Sequence, residues 1–197
     1  GGAIDRTNGA LVAIEAAIVR PVEKPWGVSD LRQWGTGART GPLIGELHFE
    51  PHSNSIETAA LLLKVLLTSK DLSIQVHPDD AYAQTIGLPC GKTEAWYILS
   101  ADANARVAVG LKARLTQAEL RIAIEDGSIT ELLAWRIVAK DDVILVPAGT
   151  IHAIGGGIVL VEIQQNSDTT FRILDPEHRR TLHIDHAVAA ARAEPAD

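Results

Sequence analysis

Basic charge is in short supply in this 197-residue sequence: 18 Lys and Arg stand against 25 Asp and Glu, a formal net charge of −7. A nucleic-acid surface needs a basic patch or stripe, so that class of partner is not expected. Nor does such a balance attract anionic metabolites in general. A binder of phosphorylated compounds with this charge must concentrate its cations locally. Cysteine is almost missing. The single Cys90 can form no internal disulfide, which suits a reducing compartment. Methionine is absent even from position 1, as at a processed or tagged start. No apolar run approaches the roughly 20 residues that cross a bilayer. No basic segment followed by an apolar stretch opens the sequence as a secretory signal would. The expected setting is cytoplasmic, without membrane or nucleic-acid partners.

Hydrophobic residues make up 46% of the chain, enough to bury a real core. There is no internal repeat, low-complexity linker or break in composition, so one domain is expected over residues 1–197. The first ten residues read as a Gly-rich start, and Leu11–Val19 reads as either helix or strand. Pro21 and Pro25 bracket an extended segment ending at Gly27. Short apolar runs bounded by Gly, Pro, Ser or Thr predict strands over Leu43–Phe49, Leu61–Leu67, Leu72–His77, Glu94–Leu99, Arg106–Val109, Val143–Val146, Ile158–Ile163 and Thr169–Leu174. About eight strands suffice for a closed or sandwiched barrel. Thr116 with Glu119, and Ser128 with Glu131, have the capping-box spacing. They predict helices over Gln117–Glu125 and Ile129–Trp135. A last helix is expected over about 185–192. The predicted fold is mainly β, a barrel over about 40–176 with an N-terminal extension (1–20) and a few short helices.

Four stretches carry candidate chemistry. In Ser73-Ile74-Gln75-Val76-His77 the two-residue period of a strand puts Ser73, Gln75 and His77 on one face. A half-exposed strand with a polar outer face has the same pattern. In Gly91-Lys92-Thr93-Glu94 the same period pairs Lys92 with Glu94, ahead of the apolar run Ala95–Leu99. In Val146-Pro147-Ala148-Gly149-Thr150-Ile151-His152 a strand enters a Pro-Gly turn and leaves it with a histidine among aliphatics. Taken alone, that histidine also reads as a core residue. In Asp168-Thr169-Thr170-Phe171-Arg172 the extended chain aligns Asp168, Thr170 and Arg172, and a guanidinium binds two phosphate oxygens at once. A polar edge strand is the plain alternative. Gln75, His77, Glu94 and His152 together offer two imidazoles, one carboxylate and one amide oxygen. That donor set suits a borderline divalent cation such as zinc. Their spacing matches no compact zinc motif.

These strings, in this order and together with Lys24-Pro25-Trp26-Gly27, Gly45-Glu46-Leu47 and Leu63-Lys64-Val65-Leu66, resemble type I phosphomannose isomerase over about residues 21–186. The resemblance implies a cupin (jelly-roll) barrel and one zinc ion held by Gln75, His77, Glu94 and His152. It places Arg172, Lys92 and Ser73 around the substrate, with Lys64, Asp168 and Trp26 lining the pocket. The family reaction interconverts mannose 6-phosphate and fructose 6-phosphate through an enediol. Lys92, Lys64, Asp168 and a metal-bound water are the candidates for moving the proton, and sequence does not choose among them. Longer members carry a further C-terminal β-domain and often a larger helical insertion, without counterparts here, and many have a second glycine where Val28 stands. Two other readings compete: a metal cupin with different chemistry, such as an iron dioxygenase, and a non-catalytic sugar-phosphate binder. Gln75 in place of a histidine, and the local cations Lys64, Lys92 and Arg172, argue against the first. Oligomeric state is not legible.

Overall fold

The computed structural model describes residues 17–31, 41–50 and 60–196. The Gly-rich start and most of the Leu11–Val19 stretch lie outside the described residues. Eleven strands are present among them: β1 (Ile18–Val28), β2 (Ile44–Glu50), β3 (Leu61–Thr68), β4 (Ile74–Val76), β5 (Glu94–Ala101), β6 (Arg106–Leu111), β7 (Leu133–Ile137), β8 (Val143–Val146), β9 (His152–Ile154), β10 (Ile158–Gln165) and β11 (Phe171–Leu174). The helices are α1 (Asp80–Thr85), α2 (Gln117–Glu125), α3 (Ile129–Leu132) and α4 (Ile184–Ala190).

The strands form two antiparallel sheets, six-stranded β1-β2-β3-β10-β5-β8 and five-stranded β11-β4-β9-β6-β7. Strict alternation decides which side of β10 faces in: Ile158, Leu160, Glu162 and Gln164 are buried, while the residues between them are not. The two sheets meet through one apolar cluster, in which Trp96, Ile98, Leu160 and Ile144 of the first pack with Val107 and Ile154 of the second. Each such side chain removed from water contributes about 1.5–3 kcal/mol. On the other face of the five-stranded sheet, Ile74, Val76, Ala108 and Leu111 pack against Leu120, Ala123 and Ile124 of α2 and Ala187 and Val188 of α4. Helices thus cover one face of β4 and leave its other face, with Gln75, to the barrel interior. The mainly β expectation holds.

Several local expectations change. Residues 18–20 are not an extension but the start of β1, which pairs with β2 from Ile18↔Glu50 onward. The two prolines hid this strand. They are tolerated because β1 is the edge of its sheet, where a missing N–H need not break a ladder. The helix predicted over Ile129–Trp135 ends at Leu132, and Leu133–Ile137 becomes β7, paired with β6. Burial of Leu133 at that pairing overrides the helical period. The Thr116–Glu119 capping box forms in full, whereas Ser128 makes no side-chain cap. Ser128 Oγ is not used because Ser128 is itself helical in backbone and its N–H is taken by Asp126 Oδ1 at 2.8 Å.

Candidate metal centre and cation-lined cavity

Strand register brings the key side chains together. Gln75 on β4 pairs with His152 on β9 on one side and with Arg172 on β11 on the other, so these three form one row across the sheet. On the facing sheet His48, Lys64, Glu162 and Trp96 form a second row, through β2, β3, β10 and β5. Two turns set the remaining positions. Gly149, at φ +84°, takes the left-handed conformation of the turn before His152, and its N–H donates to the His77 carbonyl at 2.8 Å. Gly91 lets the Lys92–Glu94 segment approach the Pro78–Asp80 backbone, because a Cβ there would lie 2.5 Å from the Pro78 oxygen.

His77, Glu94 and His152 meet inside the barrel, with ligand atoms all within 4.8 Å of one another and all three buried. His77 Nδ1 lies 2.9 Å from the Thr169 carbonyl and His152 Nδ1 2.8 Å from the Thr150 carbonyl. A carbonyl only accepts, so both Nδ1 atoms carry the proton and both Nε2 atoms present lone pairs inward. Burial, reinforced by Lys92, pushes His77 down to about 3 and so keeps its imidazole neutral. Burial lowers His152 in the same way. The Glu94 carboxyl is desolvated too, but Lys92 and then His77 outweigh that and hold it well below the ordinary range. His77 Nε2 therefore faces Glu94 Oε1 at 3.1 Å, acceptor against acceptor, and neither atom has a directed hydrogen bond. Lys92 Nζ sits 2.9 Å from Oε1 as an ionic contact.

His77 Nε2, a buried acceptor with no donor, set against a carboxylate, calls for a cation. Ligands on a tetrahedral zinc are about 3.4 Å apart at the usual bond lengths. His77 Nε2 to Glu94 Oε1 at 3.1 Å and His152 Nε2 to Glu94 Oε2 at 3.9 Å bracket that spacing. The Gln75 amide nitrogen lies 3.3 Å from His152 Nε2, and a half-turn of that amide would present its oxygen there as a fourth ligand. Both histidines are oriented by backbone carbonyls, the arrangement typical of ligating imidazoles. These residues fit a divalent metal ion.

Beside this cluster lies a cavity of about 80 Å³, lined by the cations Lys24, Lys64, Lys92, Arg172 and Arg180 together with Trp26, Gln75, Glu46 and Glu162. The local concentration of positive charge that an acidic chain would need is present here. Glu46 accepts from Lys24 at 2.9 Å and pairs with His48 at 2.6 Å. Although burial opposes it, His48, Lys64 and Lys24 bring the Glu46 carboxyl down to about 2. Glu162 is pushed up to about 7 by burial and by Glu94. Trp96 Nε1 donates to both Glu162 and Glu94, at 3.2 and 3.1 Å.

Of the residues expected from sequence, Gln75, Lys64, Lys92, Arg172 and Trp26 line this cavity. Ser73 stands behind it, donating to Gln75 Oε1 at 3.3 Å. Asp168 is at the exposed rim, 79% accessible, 3.3 Å from Lys64. Glu46, Glu162 and Arg180 were not singled out. Nothing local marks Glu162 as inward: the more apolar face of β10 carries Val159, Val161 and Ile163, yet the face that carries Glu162 is the one the barrel buries.

No protein-family model matches the chain. Mannose-6-phosphate isomerase of Streptococcus mutans is 40% identical over 174 residues, 83% of this chain and 54% of that protein. The chain thus spans about half the length of the relatives it matches in sequence. The crystal structure of mannose 6-phosphate isomerase from Bacillus subtilis superposes with a TM-score of 0.79 at 31% identity, over 93% of this chain and 71% of that one. A mutant phosphomannose isomerase from Salmonella typhimurium shares the fold at a TM-score of 0.68 and 17% identity, over 93% and 75%. The two-sheet barrel is therefore the cupin-like fold of these enzymes. Likeness in sequence over most of this chain and likeness in structure over most of the Bacillus subtilis enzyme coincide, and the chain belongs to the mannose-6-phosphate isomerase family.

Proposed function

We propose that this chain interconverts mannose 6-phosphate and fructose 6-phosphate, with one zinc ion held by Gln75, His77, Glu94 and His152. The observation that carries the reading is the juxtaposition of the unpartnered buried acceptor His77 Nε2, facing the Glu94 carboxylate, with a cavity walled by five cations. When bound, the metal supplies Lewis-acid polarisation of the sugar oxygens. The chain's own residues do the rest. Burial weakens the Lys92 ammonium, but Glu94 and Glu162 outweigh it and raise its pKa, so it acts as a fixed positive charge for a developing oxyanion. Lys64, buried between Glu46 and Asp168, extends that field.

Isomerisation removes a proton beside the carbonyl and returns one to the neighbouring carbon, with no net change in redox state. A carrier needs to reach the cavity and to titrate near the working pH. Glu162 meets both conditions, with Trp96 Nε1–H fixing its orientation. Lys64 and Lys92 are charged ion-pair members, and Asp168 lies out on the rim. Ser73 keeps the Gln75 amide aligned, and Trp26 forms an apolar wall. No nucleic acid or membrane is proposed as a partner, and no helix among the described residues is long and apolar enough to cross a membrane. A cytoplasmic setting is proposed on the single unpaired cysteine.

The test is formation of mannose 6-phosphate from fructose 6-phosphate by the purified, zinc-loaded protein, with and without chelator. Turnover that disappears on chelation and returns with zinc is expected. A folded, zinc-loaded protein with no turnover on either sugar overturns the isomerase reading and leaves a sugar-phosphate binder.

A further inference from the structure

Arg180 is a second guanidinium at the cavity wall, and no sequence motif above accounts for it. It comes from the segment joining β11 to α4, and Asp175 folds that segment. The Asp175 carbonyl accepts from Arg179 N at 2.9 Å. Its carboxylate Oδ2 accepts from Arg180 N at 3.0 Å and from Arg180 Nε at 2.7 Å, while Oδ1 lies 3.4 Å from the terminal nitrogen. The Asp175 side chain is 1% exposed. Burial opposes its charge, but Arg180 outweighs burial and holds the carboxyl below its ordinary range. Between them, Arg179 adopts φ 49°, a strained left-handed conformation for a residue with a Cβ. The bonds to Asp175 hold that bend in place. Its consequence is that Arg179 is exposed while Arg180 turns to the cavity.

Arg172 lies close by. Its Nε is buried and has no partner among the described residues, and its terminal nitrogen makes one long contact, 3.4 Å, to the Thr181 carbonyl. Burial and then the charge of Arg180 lower its pKa, the mark of like charges held close. Lys24, Lys64 and Lys92 each already face a carboxylate. Among the described residues Arg172 has none within ion-pair distance. Of these two guanidinium groups only Arg180 has a carboxylate, which leaves positive charge uncompensated, and their planar forks suit a dianion with several oxygens.

We propose that Arg180, fixed by Asp175, completes with Arg172 a paired-guanidinium clamp for a phosphoryl group. The clamp makes Arg180 a specificity-determining residue and Asp175 a positioning residue. It rests on the sugar-phosphate reading of this cavity and deepens it.

The experiment pairs direct binding of inorganic phosphate by calorimetry with steady-state kinetics on fructose 6-phosphate, in the full chain and in Arg180→Ala, Arg180→Lys and Asp175→Asn. Loss of one charged, bidentate contact corresponds to about 10- to 100-fold in affinity. Arg180→Ala is expected to weaken phosphate binding and raise KM by that factor, with a smaller change in kcat. Arg180→Lys should recover part of the phosphate affinity. Asp175→Asn keeps the side-chain shape but loses the anchoring charge, and should raise KM by about 5- to 20-fold. A merely structural role for Asp175 would lower the melting temperature without changing phosphate affinity in the folded protein, and that result overturns its assignment. Intact turnover with unchanged KM and phosphate affinity in Arg180→Ala overturns the clamp and leaves the isomerase reading standing. Phosphate binding that is lost in Arg180→Ala, in a protein without turnover, supports the clamp and removes the isomerase reading instead.

Discussion

The molecule has a cavity of about 490 Å³ and another of about 80 Å³, and the smaller one adjoins the candidate metal centre. They share Leu72 in their walls, yet their polar groups are in different states. In the larger, Arg106 lies over the Trp135 ring at 4.5 Å, Lys112 Nζ donates to the Glu131 carbonyl at 2.6 Å, and Asp71 Oδ1 accepts from Gly156 N at 2.8 Å. Its main polar groups answer one another within the chain. In and beside the smaller, His77 Nε2 and Arg172 Nε are buried without a hydrogen-bond partner. Leaving a buried polar atom unpaired costs about 1–3 kcal/mol, and more for a charged one. A fold retains such a cost where a ligand is to supply the missing partner. Unpaired polar atoms, rather than empty volume, distinguish the two cavities.

The sharpest way to break this comparison is to remove a metal-facing donor. His77→Ala or Glu94→Gln should abolish stoichiometric zinc binding, measured by elemental analysis of the dialysed protein, and reduce isomerisation by about a thousandfold. Near-normal zinc content in both variants would place the metal elsewhere.

A second, smaller effect concerns acid. The folded Glu46 carboxyl titrates at about 2 against 4.5 ordinarily, so the unfolded chain binds the proton more readily. Its contribution, on the order of 3 kcal/mol, is present above about pH 4.5 and is lost as pH falls toward 2. Denaturant titrations between those values should show a steep slope in the wild type and a flatter one in Glu46→Gln. An unchanged slope would mean that Lys24, Lys64 and His48 do not stabilise the charged form.

The smallest effect belongs to the larger cavity. Trp135→Ala should lower stability by about 2 kcal/mol through lost packing and the lost contact with Arg106. Zinc content and turnover should match the wild type, and a fall in either would show that the two cavities are coupled.

Legibility from sequence tracked how local each determinant is. Val143–Val146 and Gln117–Glu125 have the bounds predicted, because a short bounded apolar run and the Thr116–Glu119 box are written within a few residues. β7 was read as helix because its pairing with Arg106–Leu111 is remote in sequence and overrides a local period. β1 was obscured by prolines that only an edge position permits. The donor types at Gln75, His77, Glu94 and His152 were readable, as were the cations Lys64, Lys92 and Arg172. Glu46, Glu162 and Arg180 were not, since nothing local separates an inward acid or arginine from a surface one.

The sequence by itself determined the strand periods, the turn glycines, the acidic balance and the stock of donors. Tertiary structure decided which donors meet. Gln75 and His152 are 77 residues apart, and register alone sets them opposite each other. Barrel closure then desolvates them and fixes their charge states. Both steps depend on pairings between distant strands, and the physical reason they escape a local reading is that a side chain's field and burial are properties of its neighbours in space.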